Sequence, residues 1–402
     1  MSTTTGYEFW TPEAQRNPYP IYRKIREEIP VIKREHTWML SRHRDVAALL
    51  PDRRMSAVRG HLGYLEEAER AKNQALIEAN RYMILFLDPT DHTRLRGLVA
   101  QAFSARRIEN LRARIAELVD ELLADVEPGE PWDLIDTLAN PLPGLVIAEL
   151  IGVPTADQDS FTRWANDYGA WLGAWRADEE LRRVANRSAG ELTDYIRAMI
   201  KERRKAPSDD LLSALVQAEE EGDKLTEAEL VSTIFLILFA GNETTTNLIG
   251  NGTLALLRHP DDMEQLRNDP SLMRTAIEEL LRFDGPVQLT TRFVTEPIEL
   301  DGHTIEPGEQ IEFLLGAANH DPEQFDEPER LNLARRPNRH ITFGHGIHFC
   351  LGAPLARAEG QIAIGEILRR YPNLELAQDD VEYRDNPILR GLTGLQLVGA
   401  SK

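Results

Sequence analysis

The chain has only one cysteine, Cys350, among its 402 residues. An intrachain disulfide is therefore impossible, which excludes a small cross-linked scaffold. Long apolar runs are missing as well. The longest, Ile234–Gly241, is far short of the roughly 20 residues that a bilayer-spanning helix needs. The opening MSTTTGYEFW has no basic stretch followed by an apolar one, so a cytoplasmic chain without a membrane anchor is expected. Positive charge is scarce. The formal net charge of −20 argues against nucleic acid or an anionic lipid surface as a partner. Neither a G-x-x-x-x-G-K-[ST] loop nor a dinucleotide fingerprint occurs, so the chain is not expected to bind NAD(P)H itself.

What remains is an ordinary globular composition, 42% hydrophobic and 28% charged. Repeats, low-complexity tracts and Gly/Ser linkers are absent, and proline and glycine are spread evenly. That favours one integrated domain over residues 1–402. Helical periodicity dominates. It predicts helices over 18–28, 66–82, 93–103, 107–126, 133–151, 157–175, 178–205 and 354–370. Strand signals lie at 31–40, at 289–295, in the pair 298–300 and 303–305 around Asp301-Gly302, and after Leu374. The expected fold is mainly α, with a minor β part concentrated after residue 285.

One helix stands apart. Thr226 and Glu229 form a T-x-x-E capping box, an apolar stretch follows to Leu257, and His259-Pro260 ends it. About 31 residues at 1.5 Å each span about 46 Å, enough to cross a whole domain. Its middle is apolar on most sides, yet Ala240-Gly241-Asn242-Glu243-Thr244-Thr245 sits there. Glycine weakens a helix and a buried carboxylate is costly, so local sequence and global position disagree. Such a disagreement marks a functional site.

The C-terminal third holds Phe343-Gly344-His345-Gly346-Ile347-His348-Phe349-Cys350-Leu351-Gly352. Glycines around the cysteine suggest backbone passing close to something flat and bulky. The helix that begins just after Cys350 would aim its first N–H groups at the sulfur and favour the thiolate.

This segment resembles the cysteine-ligand loop of the cytochromes P-450, F-x-x-G-x-x-x-C-x-G, at Phe343, Gly346, Cys350 and Gly352. The following APLARAE is similar to that of the soluble bacterial members. The resemblance runs from about Pro18 to Val398. It implies the P-450 fold, with a long central helix over heme b and the cysteine loop beneath it, and Cys350 as axial ligand to the iron. Glu279 and Arg282 look like the family's E-x-x-R, with Arg330 resembling its third member. Ala240–Thr245 resembles the A-G-x-[D/E]-T-T segment. There glycine and hydroxyl would loosen the helix, Thr244 would donate a hydrogen bond to the oxygen being reduced, and Glu243 would relay protons. The plainer alternative for Thr244 is a hydrogen bond back to a helix carbonyl.

Heme propionates need cations. His92 and Arg96, at i and i+4, resemble the family's H-x-x-x-R, and Arg292 and His348 complete the implied set. The cofactor contacts implied are thus His92, Arg96, Ala240, Arg292, Phe343, His348, Cys350 and Gly352. Electrons would come from a separate ferredoxin with its reductase. Basic residues at Arg335, Arg336 and Arg339, at Arg106, Arg107, Arg112 and Arg114, and at Arg357 would dock it, the alternative being ordinary solvated helix charge.

The resemblance places the pocket among 59–87, 160–175, 287–291, Leu236, Ala240 and Thr244, with Leu392-Thr393 closing it. Trp164, Tyr168, Trp171 and Trp175 share a helix face, and at least half of them are expected to be core packing. Apolar walls suggest a terpenoid, macrolide, steroid or fatty acyl substrate, hydroxylated or epoxidised with dioxygen. Two other readings stay open: a hydrogen-peroxide-driven peroxygenase, and a non-catalytic heme sensor or carrier.

Overall fold

The computed structural model describes residues 11–58, 71–102, 105–173, 178–220 and 225–399. Helices make up most of it and surround Glu227–Arg258, the 32-residue central helix. The expected capping box is present. The Thr226 hydroxyl accepts from the Glu229 N–H, and the Glu229 carboxylate accepts from the Thr226 N–H at 2.7 Å. Glu229 also holds Arg94, which ties the start of the central helix to the helix Asp91–Ala102. Most of the central helix is buried, and the largest apolar cluster packs around it.

Gly241 and Gly250 explain how neighbours come so close. A Cβ on Gly241 would lie 2.4 Å from the Ile147 side chain, and one on Gly250 would lie 2.7 Å from Ile135. The central helix runs unbroken through Gly241. The expected loosening is therefore not present, and the glycine instead admits the helix Pro141–Ile151.

The strands form three small sheets. Strands β1 (Val31–Arg34) and β2 (Thr37–Leu40) make the expected hairpin, with Glu35 left-handed at φ 51°. β2 then pairs in parallel with β8 (Gln310–Leu314), β8 pairs antiparallel with β5 (Leu289–Val294), and β3 (Met55–Ser56) pairs with β5. The sheet order is β1-β2-β8-β5-β3. Strand β8 was not foreseen, because its polar/apolar alternation covers only five residues, Gln310–Leu314. β4 (Trp132–Asp133) pairs with β10 (Gln396–Val398), which also pairs with β9 (Glu375–Leu376). The helix expected to begin at Asp133 begins later for that reason. Asp133 lies in a strand and accepts hydrogen bonds from the Ile135 and Leu395 N–H groups. The turn between β6 (Ile298–Leu300) and β7 (His303–Ile305) is as expected, with Asp301 and Gly302 at φ 48° and 75°. The helix predicted over 66–82 lies partly outside the described residues, and only Gln74–Asn80 of it is seen.

Candidate active site

Cys350 lies between a short turn at Gly346–His348 and the helix Ala353–Arg370. Its N–H donates to the Phe343 carbonyl at 2.8 Å, which closes the loop on itself. Gly344 and Gly346 are left-handed, at φ 73° and 74°. At Gly346 no side chain is possible, since its Cβ would meet the Pro51 backbone at 2.8 Å. The sulfur accepts from the Gly352 and Ala353 N–H groups, and Arg96 and Arg357 lie close enough to favour its anion. Burial outweighs these and pushes the free thiol up. A thiol so placed has its charge-stabilising donors ready but needs a cation against the sulfur to ionise fully.

Beside the loop two histidines and two arginines converge. His92 is completely buried and neither ring nitrogen has a hydrogen-bond partner. Its ring sits 4.3 Å from that of His348. Burial, then Arg292, His92 and Arg96, depress His348 to about 3. Burial and then Arg96 also depress His92. Arg96 donates to the Phe349 carbonyl, and Arg292 is buried against Thr290 and the Thr291 carbonyl. Four mutually repelling side chains from three segments meet here, as the sequence implied. An anion placed among them would accept from the guanidinium and ring N–H groups.

The cavity above Cys350 has a volume of about 1200 Å³. Ala240, Gly241 and Thr244 line one wall, and Cys350, Phe343 and Gly352 line the opposite part. Thr244 makes the plainer of its two anticipated contacts, donating to the Ala240 carbonyl at 2.7 Å. Glu243 is raised by burial, and the compensating charge among the described residues is Arg384 at 3.8 Å. Leu236, Phe239, Trp171 and Leu172 continue the lining, with Ile84–Phe86 and Val287. Leu392 and Thr393 do not close the cavity. Leu392 is buried in the main core, and Ile388 and Leu389 take that place. Tyr168 is core, packed on Phe235 and hydrogen-bonded to Asn80, while Trp164 bonds Glu191. Trp175 lies outside the described residues.

Glu279 and Arg282 form the expected pair at 2.8 Å, both fully buried. Arg330 is not its third member. Its side chain is exposed and pairs with Glu327, and only its carbonyl accepts from Arg282. Arg335 fills that place, with Nε 3.0 Å from Glu279. Asn338 adds a further bond to the same carboxylate. Arg335 is thereby withdrawn from the basic surface to which the sequence assigned it. Arg114 is bound by Glu149, Glu117 and Glu121, and Arg357 by Glu278. Arg336 and Arg339 stay exposed.

The cytochrome P450 family profile matches residues 174–397. The chain belongs to the cytochrome P450 family. It is 43% identical to the polyketide biosynthesis cytochrome P450 PksS of Bacillus subtilis over 394 residues, covering 95% of this chain and 96% of that protein. It is 42% identical to a vitamin D(3) 25-hydroxylase of Pseudonocardia autotrophica, covering 97% and 96%. The structure of P450BioI, solved in complex with hexadec-9Z-enoic acid ligated acyl carrier protein, superposes with a TM-score of 0.89 at 38% identity. That match covers 96% of this chain and 99% of the other.

This P450 is an oxidoreductase of the monooxygenase kind, and its cofactor is heme b. It takes electrons from a redox partner and binds hydrophobic substrates. Among the described residues no helix is long and apolar enough to cross a membrane. The site fits the cofactor on its own evidence. The unpartnered His92 nitrogens, with Arg96 and Arg292 beside them, suit the propionates, and a thiol with N–H donors lies at the cavity wall.

Sequence reasoning missed Glu359. It is fully buried on the helix after Cys350, lines the cavity, accepts from Thr245 and is raised to about 8 by burial. Its Oε1 has no partner. A glutamate within an otherwise apolar helix stripe was the available signal.

Proposed function

We propose that this P450 inserts one oxygen atom of dioxygen into a hydrophobic small molecule, using electrons from a separate ferredoxin in the cytoplasm. A single domain over residues 1–402 belongs to that reading. Sheet pairing of β2 with β8 and of β4 with β10 supports it, since each joins distant parts of the chain. The observation that carries the reading is the lone Cys350, with two N–H donors on its sulfur, beside a buried His92 whose ring nitrogens have no hydrogen-bond partner.

Heme b bound there supplies the dioxygen-activating chemistry. Cys350 holds the iron as thiolate. His92, Arg96, Arg292 and His348 hold the propionates, and Ala240, Phe343 and Gly352 contact the macrocycle. Thr244 keeps its hydroxyl at the cavity wall, where the oxygen can accept one hydrogen bond while donating to Ala240. Glu243, raised by burial, carries protons toward Thr244, with Arg384 marking its link outward. The apolar lining excludes water from the reacting centre and receives the substrate. Exposed Arg336, Arg339 and Ile347 form the face on which an acidic ferredoxin docks.

Candidate substrates are a terpenoid, macrolide, steroid or fatty acyl chain. The vitamin D, polyketide and acyl-carrier relatives support that range. Turnover of one such compound with reduced ferredoxin and dioxygen tests the reading. Turnover with hydrogen peroxide alone would establish the peroxygenase instead.

A further inference from the structure

Two buried carboxylates on the cavity wall take no part in the chemistry above. Glu359 has the Thr245 hydroxyl as its donor. Glu312 has none among the described residues. It sits at the centre of β8, opposite Met39 on β2 and Thr291 on β5. Both neighbouring strands satisfy its backbone, so its side chain alone requires an explanation. Alternation puts Ile311 and Phe313 into the apolar cluster behind the sheet. Glu312 and Gln310 share the opposite face and line the cavity with Thr291.

Glu312 is only 7% exposed. Burial raises its carboxyl, and the one charge opposing this is Arg34 on β1, beyond β2. Glutamate is also a poor strand former. A buried carboxylate in a central strand is retained against both tendencies, where Leu or Val would satisfy the fold. Its orientation supplies the reason. It faces the same cavity as Ala240, Thr244 and Cys350, on a lining that is mostly apolar but also carries Glu359 and the cations Arg96, Arg182 and Arg292. A substrate bearing positive charge on a hydrophobic body would pair that carboxylate in a setting where little water screens the attraction of opposite charges.

We propose that Glu312 anchors a cationic nitrogen of the substrate, so that the preferred ligands are hydrophobic chains or rings carrying an ammonium group. The proposal rests on the reading of this cavity as the substrate pocket of a heme-thiolate enzyme. It narrows that pocket's ligands from hydrophobic molecules in general to cationic amphiphiles.

Decyltrimethylammonium, 1-decanol and decanoate test it on the heme-loaded protein by calorimetry, with heme absorbance recorded alongside. The quaternary nitrogen has no lone pair and cannot ligate iron, so a spectral change reports cavity occupation. The expected order is ammonium at least about tenfold tighter than decanol, with decanoate weakest. In Glu312→Gln the ammonium and decanol should bind within about twofold of each other. Glu312→Asp should keep the ammonium preference and guards against a Gln variant that fails to fold. Equal binding of ammonium and decanol by the parent overturns the proposal, as does a preference that survives in Glu312→Gln. Failure of all three probes to bind a protein with an intact heme-thiolate spectrum also overturns it, leaving the enzyme reading in place. A preparation without that spectrum would instead fail the enzyme reading.

Discussion

Arg335 donates to both oxygens of Glu279, at 3.1 and 3.0 Å, and so completes a buried carboxylate site that Arg282 opens from three residues along the same helix. The carboxylate also receives the Asn332 N–H and the Asn338 amide. Arg282 and Arg335 in turn donate to carbonyls at Asn319, Pro328, Asp326 and Arg330. This network fixes the segment that leads into the cysteine loop. Removing one partner leaves charge buried and uncompensated. Arg335→Ala should cost about 3 kcal/mol of stability, against less than about 0.5 kcal/mol for exposed Arg330→Ala. Melting temperatures of the two purified variants check the contrast.

Glu359 gives a pH signature. Its carboxyl is raised to about 8 by burial, while in the unfolded chain it ionises in the ordinary range near 4.5. The folded protein therefore binds the extra proton between these values, and stability falls as pH rises through that window. Glu359→Gln removes the titration. Its melting temperature should equal the parent's at pH 5 and exceed it at pH 7.5, by a difference worth about 2–3 kcal/mol. A parallel pH dependence in parent and variant would contradict the buried, proton-holding Glu359.

Thr244 and Glu243 carry the proposed proton delivery. Thr244→Ala and Glu243→Gln should retain heme and substrate binding while about tenfold less product forms per electron consumed. Oxygen uptake, hydrogen peroxide release and product measured together check this. Unchanged coupling in both variants would remove the relay.

His92 and Arg96 should matter for holding the cofactor. Arg96→Leu and His92→Leu should each weaken heme retention by about ten- to a hundredfold, because each leaves one propionate charge buried with fewer donors. Transfer of heme to apomyoglobin, followed over time, measures it. Arg94→Leu, whose partner is Glu229, should leave that rate unchanged.

Sequence pattern alone placed the central helix to within a residue or two, because its capping box and its terminating His259-Pro260 are local signals. The β1–β2 and β6–β7 hairpins were equally legible from alternation and turn residues. Strand β8 was not, since its alternation runs for only five residues and its pairing with β2 and β5 joins distant parts of the chain. Asp133 was read as helical because its role in β4 depends on a strand more than 260 residues away. Among the site residues, those at fixed short spacing were found together: His92 with Arg96, and the loop around Cys350. Arg335 was missed for Arg330 because both lie near the motif, and only folding decides which guanidinium turns inward. The two buried glutamates, Glu312 and Glu359, went unnoticed since a lone charged residue in a strand or helix is ordinarily solvated. Gly241 lines the cavity, while its contact with Ile147 is visible only in three dimensions.

The central claim is that the Cys350 sulfur ligates heme iron as thiolate. The reduced carbon monoxide absorbance spectrum of the parent and of Cys350→Ala tests it most directly, with heme content measured in parallel. The account predicts a thiolate-type band in the parent and its complete loss in the variant, even where the cavity and its cations still retain heme. A thiolate-type band that persists in Cys350→Ala, or a parent that never shows one when heme is supplied, would contradict it.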